Sequence, residues 1–406
     1  MVNKYDGGIF WLLDVRFDFL LPSFIHEFEI EEQDIILVSS YHCNTRKRWR
    51  KIYIPFKVAN VNLMEPDDIN RIFAKELQLD CKNLIISLSG AGMPQSDNLV
   101  SLTSTGRIAE LCNDKWWQYE LFKRCGIKTP DTYKYCSLKA VKDEFSFLTK
   151  KYEKVVIKRS CLSGGYMMDV LCSDTGLMDY CRRIQKSNIK QDFLVSEYIP
   201  HGQSFASMGV VQKNKEVFFI NIVTEQVLYR EVAYEGLIYP PFLDNCYIEE
   251  IERTTIRIGK ELGQSGYFGY FNVDFILADS QMYAVEINAR LGFGTILAAC
   301  LYGEKIWKVL QGLCKDQVGN IQKRLIIGKI KGMEGKVYSN LKSISNISDW
   351  FEWGDGFFKT FFCGTGEKEL FEYGSFIGLF GEFFSLESAR EWVLKRFMEK
   401  CLEYYE

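Results

Sequence analysis

Asp274, Glu286, Asn288 and Arg290 are the residues of this chain whose types and spacing most clearly suit chemistry. They lie in two largely apolar runs, Asn272-Val273-Asp274-Phe275-Ile276-Leu277 and Ala284-Val285-Glu286-Ile287-Asn288-Ala289-Arg290, on either side of Ala278-Asp279-Ser280-Gln281. The pattern reads as two antiparallel strands joined by a turn. Strand side chains alternate in direction, so Glu286, Asn288 and Arg290 project from one face while Val285, Ile287 and Ala289 project from the other. Asp274, on the partner strand, can lie on that same polar face. Carboxylates this close repel each other unless a cation sits between them. Hard oxygen donors of this kind suit Mg²⁺ carrying a nucleotide phosphate. The competing reading is a solvated strand face with a surface ion pair, but the flanking residues are too apolar for a freely exposed hairpin.

Such a face needs elements to hold it and to supply positive charge opposite it. The segment 113–130 predicts a helix, with Asn113 as N-cap, Trp117, Leu121 and Phe122 as its buried stripe, Gly126 as its stop and Pro130 preventing continuation. Lys115 falls in its first turn. A helix near 138–150 is followed by the strand Lys154-Val155-Val156-Ile157-Lys158-Arg159. Lys158, at the end of so apolar a strand, must either snorkel out or neutralise an anion. The loop Ser160-Cys161-Leu162-Ser163-Gly164-Gly165-Tyr166 comes next; its glycines let backbone N–H groups turn toward phosphate oxygens. Phe193-Leu194-Val195-Ser196-Glu197-Tyr198-Ile199-Pro200 reads as another strand, and 205–230 as two more joined at Lys213-Asn214-Lys215. A helix near 248–262 leads into the Asp274 strand, and a further helix runs from the glycine turn after Arg290 to about Leu313.

In this order, across roughly 111–315, these segments resemble the ATP-grasp enzymes: Asp-Lys helix, Val-Val-Ile-Lys strand, Gly-Gly loop, Glu hinge, Asp strand, Glu-x-Asn-x-Arg strand. The resemblance implies an α/β (α+β) chain with the ATP-grasp fold, ATP as nucleotide and Mg²⁺, or alternatively Mn²⁺, as metal. It assigns Asp274, Glu286 and Asn288 to the metal and Arg290 to the transferred phosphate and acyl intermediate. Lys115 and Lys158 would meet phosphate, under a flexible loop containing Ser163, Gly164 and Gly165. Adenine would pack against the hinge at Glu197, Tyr198 and Ile199. Gln203 stands where relatives commonly have a ribose-binding Glu, and an amide can make the same hydrogen bonds. Many relatives also have Pro where this chain has Ala289.

The activity implied is activation of a carboxylate by the γ-phosphoryl of ATP, then attack by an amine, with release of ADP and phosphate. The Glu-Ile-Asn-Ala-Arg-Leu-Gly run is closer to the amino-acid and carbamoyl-type branch than to the D-alanine branch. Small-molecule carboxylate and amine substrates are expected, with an amino acid or peptide among them. Transfer to a carrier-protein thiol and a non-catalytic nucleotide-binding role are the alternatives.

Length and composition set the frame. A chain of 406 residues suffices for two or three domains at about 150 residues each. The expected partition is an N-terminal α/β domain over 1–110, a lid subdomain over 111–192, a catalytic subdomain over 193–335 and an aromatic-rich, β-rich subdomain with a terminal helix over 336–406. In the first of these, 34–39 and 83–88 read as buried parallel strands and 66–77 as a helix. Gly90-Ala91-Gly92 is set aside as a dinucleotide fingerprint because Pro94 and Gln95 follow it. The formal charge of −3 provides no footprint for nucleic acid or an anionic membrane. The run 9–25 is interrupted by Asp14, Arg16 and Asp18, which favours a buried strand over a membrane segment. Thirteen cysteines without Cys-x-x-Cys spacing, beside three histidines, point to reduced thiols and a cytoplasmic protein. His201 reads as structural or solvated. The aromatic tail suits a packed core, a pocket wall or a homodimer surface.

Overall fold

The computed structural model describes residues 9–12, 35–39, 57–60, 83–86, 99–161, 167–184, 192–229, 233–302, 305–314, 324–329, 350–353, 356–362 and 375–381. The backbone forms three sheets with seven helices described beside them. The first sheet has five parallel strands: β1 (Ile9–Leu12), β2 (Ile35–Ser39), β3 (Lys57–Asn60), β4 (Asn83–Ile86) and β5 (Leu99–Ser101). Their order is β3-β2-β1-β4-β5, so the apolar run that opens the chain supplies the central strand. β2 and β4 fall where the apolar runs predicted them; the helix expected at 66–77 lies outside the described residues.

Helices α1 (Gly106–Asn113) and α2 (Lys115–Arg124) follow. The N-cap of α2 is Asp114 rather than Asn113, and the Asp114 side chain accepts from the Trp116 N–H at 2.8 Å. Both residues suit an N-cap; the choice is made by α1, which already holds Asn113 as its last residue. Gly126 stops the helix as expected, in the left-handed conformation (φ 59°) that lets its N–H reach the Lys123 carbonyl.

The second sheet is antiparallel and contains β6 (Thr132–Tyr135), β7 (Val155–Arg159), β8 (Asp169–Leu171) and β9 (Phe193–Glu197) in the order β6-β9-β7-β8. Helices α3 (Leu138–Tyr152) and α4 (Asp174–Ile184) cover one face. Their Val141, Phe145, Leu148, Leu177 and Tyr180 bury Val155, Ile157, Leu171 and Val195 of the strands. Period-two alternation then leaves Lys158 on the opposite face.

The third sheet is the largest. It contains β10 (Gln203–Val211), β11 (Val217–Tyr229), β12 (Ala233–Tyr239), β13 (Gly269–Ala278), β14 (Gln281–Asn288) and β15 (Arg324–Lys329). The aromatic tail adds β16 (Trp350–Trp353), β17 (Gly356–Phe362) and β18 (Ser375–Gly381). The order is β14-β13-β10-β11-β12-β15-β18-β17-β16, so the tail extends the same sheet instead of forming one of its own. The terminal helix expected there lies outside the described residues. Helix α5 (Asn245–Gln264) packs Ile251, Thr255, Ile258 and Leu262 beneath the sheet, against Phe205, Phe271, Val273 and Phe275. The single helix expected after Arg290 is two, α6 (Phe293–Tyr302) and α7 (Ile306–Leu310). Gly303, a weak helix former, lies between them in sequence. Among the described residues, no helix is long and apolar enough to cross a membrane.

Candidate active site

The site begins at the β13–β14 hairpin. Asp279 and Ser280 both have positive φ (48° and 59°), the conformation of a two-residue hairpin turn that matches strand twist. From that turn the register runs Ala278↔Gln281, Leu277↔Met282, Ile276↔Tyr283 and Phe275↔Ala284. Continued without interruption, it would set Val285 opposite Asp274 and turn Glu286 to the other face. Instead the register shifts, and the next pair is Asp274↔Glu286. Val285 is the extra residue of a β-bulge. Burial confirms the phase change: Met282 and Ala284 are buried before it and Ile287 after it, with Val285 and Glu286 both half-buried. The bulge therefore puts both carboxylates on one face.

Around that pair the polar groups interlock. Gln226 Nε2 donates to Asp274 Oδ1 at 2.8 Å, and Asn288 Nδ2 donates to Asp274 Oδ2 at 2.9 Å. Asn288 Oδ1 in turn accepts from Arg290 Nη2, while Arg290 Nη1 donates to Asn113 Oδ1 at 3.1 Å. Asn272 Nδ2 holds the Arg290 carbonyl at 3.2 Å. A Cβ on Gly292 would lie 2.9 Å from that same Nδ2, so the glycine is what lets Asn272 approach.

Positive charge arrives from two directions. Lys115, the first residue of α2, places Nζ 3.0 Å from Glu286 Oε1 with its side chain only 7% exposed. The α2 start is tied to the end of β7, since the Lys115 N–H donates to the Ser160 carbonyl at 2.9 Å. Lys158, on the β7 face away from the α3–α4 core, lies within reach of the same carboxylate's charge. Burial lowers the Lys158 ammonium to about 8; Glu286 opposes that shift and Lys115 adds to it. Burial and the Glu286 charge push the Asp274 carboxyl up to about 7, against the hydrogen bonds of Gln226 and Asn288 and the charge of Arg290. Burial also works against an ionised Glu286, but Lys115, Arg290 and Lys158 outweigh it and hold this carboxyl below its usual range. Unequal surroundings thus leave one of the two facing carboxylates much easier to ionise.

Glu197, Tyr198, Ile199 and Gln203 lie where the second sheet joins the third. Glu197 ends β9, and its Oε2 accepts from the Asp131 N–H at 3.2 Å. The Tyr198 N–H donates to the Lys154 carbonyl at 3.3 Å, and Lys154 Nζ lies 5.2 Å from the Tyr198 ring centre. Ile199 is buried; Gln203 is exposed at the start of β10, opposite Leu277 of β13. Ala206, three residues further along β10, pairs with Asp274, so the hinge feeds directly into the strand beside the acidic pair. Ser163, Gly164 and Gly165 lie outside the described residues.

Several residues were not singled out from sequence. Gln226 sits in an alternating strand, and only the pairing of β11 with β10 brings it near Asp274. Asn113 resembled a helix cap until the tertiary structure gave it Arg290 as partner. Gln118, buried on α2, bonds to the backbone of Ile287.

Comparison with known proteins matches the stretch of chain that carries these residues. The profile of the ATP-grasp domain family matches residues 112–294. The carbamoyl phosphate synthase large chain of Sulfurisphaera tokodaii is 24% identical over 198 residues, covering 48% of this chain and 18% of that one. The [butirosin acyl-carrier protein]–L-glutamate ligase of Niallia circulans is 25% identical over 182 residues, 44% of this chain and 43% of that one. The chain thus spans less than half the length of either curated relative. Among solved structures, the biotin carboxylase domain of the Hydrogenobacter thermophilus 2-oxoglutarate carboxylase, in complex with MgADP, ADP and bicarbonate, superposes with a TM-score of 0.66 at 15% identity. That superposition covers 92% of this chain and 86% of that domain, a likeness of fold. The match identifies residues 112–294 of this chain as an ATP-grasp domain.

Proposed function

We propose that this protein is an ADP-forming carboxylate–amine ligase that uses ATP and Mg²⁺. The observation that carries the reading is the Asp274↔Glu286 pair, set face to face by the bulge and flanked by Lys115, Lys158, Asn288 and Arg290. The donor set fits a hard divalent cation, because it consists of carboxylate and amide oxygens with no sulfur or imidazole. Asp274 and Glu286 would supply two carboxylates, and the amide oxygen of Asn288, which bonds Asp274 through its Nδ2, would be the third donor. Mg²⁺ bound there, or Mn²⁺ in its place, would screen phosphate charge and orient the γ-phosphoryl group.

The chain's own residues supply the rest. Lys115 and Lys158 offset phosphate charge from the α2 and β7 sides, and Ser163, Gly164 and Gly165 belong to the loop covering the phosphates. Glu197, Tyr198 and Ile199 receive the adenine edge, with Gln203 at the ribose. Arg290 faces the reacting carboxylate, where a guanidinium can stabilise negative charge as it develops. A free carboxylate is a poor acyl donor; phosphorylation provides it with a leaving group, and the protein's share of the work is positioning and neutralisation. The same reading keeps four functional regions, 1–110, 111–192, 193–335 and 336–406, with small-molecule carboxylate and amine substrates and an amino acid or peptide among them.

A second reading sends the acyl group to a carrier-protein thiol. It is favoured by the likeness to the butirosin acyl-carrier-protein ligase, whose name specifies that kind of acceptor. One screen separates the two: phosphate release with ATP and Mg²⁺ over paired amino acids, run beside a phosphopantetheinylated carrier protein, with products read by mass. Amide products support the leading reading, and a loaded carrier with no reaction of free amines supports the second. Nucleotide binding with no phosphate release from any pair would leave a non-catalytic binding protein. Glu286→Ala is expected to abolish turnover, and near-normal turnover at saturating Mg²⁺ would remove Glu286 from the metal site.

A further inference from the structure

β14 is the outermost strand of the nine-stranded sheet, so one side of its backbone points away from β13. Two groups from the α2 region meet that side. The Lys128 carbonyl accepts from the Ala284 N–H at 2.8 Å. The Gln118 side chain forms a two-way clasp on Ile287: Nε2 donates to the Ile287 carbonyl at 2.7 Å, and Oε1 accepts from the Ile287 N–H at 3.0 Å. Gln118 Nε2 also reaches the Cys112 carbonyl at 2.8 Å, which ties the clasp to α1. Gln118 is 1% exposed, so neither end can fall back on water.

The spacing of those two anchors is informative. In a regular strand, outward-pointing backbone groups recur at every second residue. Ala284 and Ile287 are three apart, and the residue that makes up the difference is Val285. Flattening the bulge would turn the Ile287 N–H and carbonyl inward, toward β13. Both arms of the clasp would then be lost, and Glu286 would leave the face that holds Asp274. The clasp is therefore compatible with only one of the two registers.

We propose that Gln118 is a positioning residue: its side-chain amide selects the bulged register of β14 and thereby holds Glu286 opposite Asp274 for a divalent cation. Lys115 lies one turn earlier on the same helix and bonds the Glu286 side chain, so α2 fixes adjacent residues of β14 through a side chain and through the backbone. The inference rests on the metal role proposed above for Asp274 and Glu286.

The test compares wild type with Gln118→Met, which keeps the volume and loses every hydrogen bond, and with Gln118→Glu, which keeps the acceptor for the Ile287 N–H. Three quantities are measured: Mn²⁺ binding in the presence of ADP, ADP binding with chelator, and hydrogen exchange at the Ile287 amide. Gln118→Met is expected to weaken Mn²⁺ binding by roughly 10- to 100-fold, the range for loss of groups that orient metal ligands. ADP binding in chelator should stay within about twofold, a separation that general loosening of the fold would not produce. Gln118→Glu should fall between Gln118→Met and wild type in Mn²⁺ affinity. In the wild type, the Ile287 amide should exchange as slowly as amides of interior ladders despite belonging to the outermost strand. Equal losses in Mn²⁺ and ADP binding, or no loss in either, overturn the proposal. So does fast exchange of the wild-type Ile287 amide, a result available whether or not the variants fold. Absence of Mn²⁺ binding in the wild type counts instead against the proposed metal site, and the exchange measurement still decides the role of the clasp.

Discussion

Replacing Lys115 with Met removes the cation that lies 3.0 Å from Glu286 Oε1 and keeps much of the side chain's bulk. At that distance and an effective dielectric near 20, the gross attraction is about 5 kcal/mol. Desolvation of the ammonium cancels most of it, and Arg290 and Lys158 remain to offset Glu286. The net loss of fold stability should thus be about 1–2 kcal/mol, below the roughly 3–5 kcal/mol of a fully orphaned buried charge. The informative effect is on ligands. With Glu286 in the proposed metal role, Lys115 and a divalent cation would compete for the same carboxylate, so Mn²⁺ alone should bind Lys115→Met more tightly, on the order of tenfold or about 1.4 kcal/mol. ATP, in contrast, would lose the phosphate partner proposed above, and its KM should rise by on the order of tenfold or more. Titration calorimetry with Mn²⁺, steady-state kinetics over ATP and chemical denaturation read the three quantities separately. Weaker Mn²⁺ binding in parallel with weaker ATP binding would refute the competition argument, and unchanged values for both would take Lys115 out of the site.

Other outcomes follow from the same contacts. Gln226→Leu removes the donor 2.8 Å from Asp274 Oδ1 and should weaken Mn²⁺ binding by about tenfold, measured as a shift in the Mg²⁺ or Mn²⁺ titration midpoint of turnover. Asn113→Ala deprives Arg290 Nη1 of its acceptor; kcat should fall about tenfold, or about 1.4 kcal/mol, with a smaller change in ATP KM. Burial pushes the Cys112 thiol up to about 12, which keeps it protonated and unreactive in the native protein near pH 8. Iodoacetamide should label the exposed Cys136, Cys161, Cys172 and Cys246 well before Cys112, as read by peptide mass spectrometry. The same shift has a defined sign in stability. A thiol raised by folding keeps its proton longer in the native state, so this contribution is intact below the unfolded value near 9 and is lost as pH climbs from there toward 12. Early labelling of Cys112 would contradict its burial.

Much of the architecture could be read from residue order alone. Period-two alternation placed Lys158 on the face of β7 away from the α3–α4 core, and the apolar runs at 34–39 and 83–88 announced the parallel strands β2 and β4. Gly126 marked the end of α2, because few other residues adopt its backbone conformation without strain. The turn at Asp279-Ser280 and the sense of the hairpin followed from the flanking apolar runs. These features depend on neighbours in the chain, and local chemistry determines them.

The arrangement of the acidic site does not follow from those rules. Counting outward from the two-residue turn, a regular ladder sends Glu286 to the face opposite Asp274; the carboxylates meet because Val285 is squeezed out as a bulge. A bulge is stabilised by what the displaced backbone finds beyond its own strand, here the Lys128 carbonyl and the Gln118 amide, the latter 169 residues earlier in the chain. Gln226, Asn113 and Asn272 likewise reach the site through strand pairing and helix docking. Residue types along the chain determined which groups could perform chemistry. Tertiary packing decided which face each would occupy, since a one-residue change of register reverses every side chain beyond it.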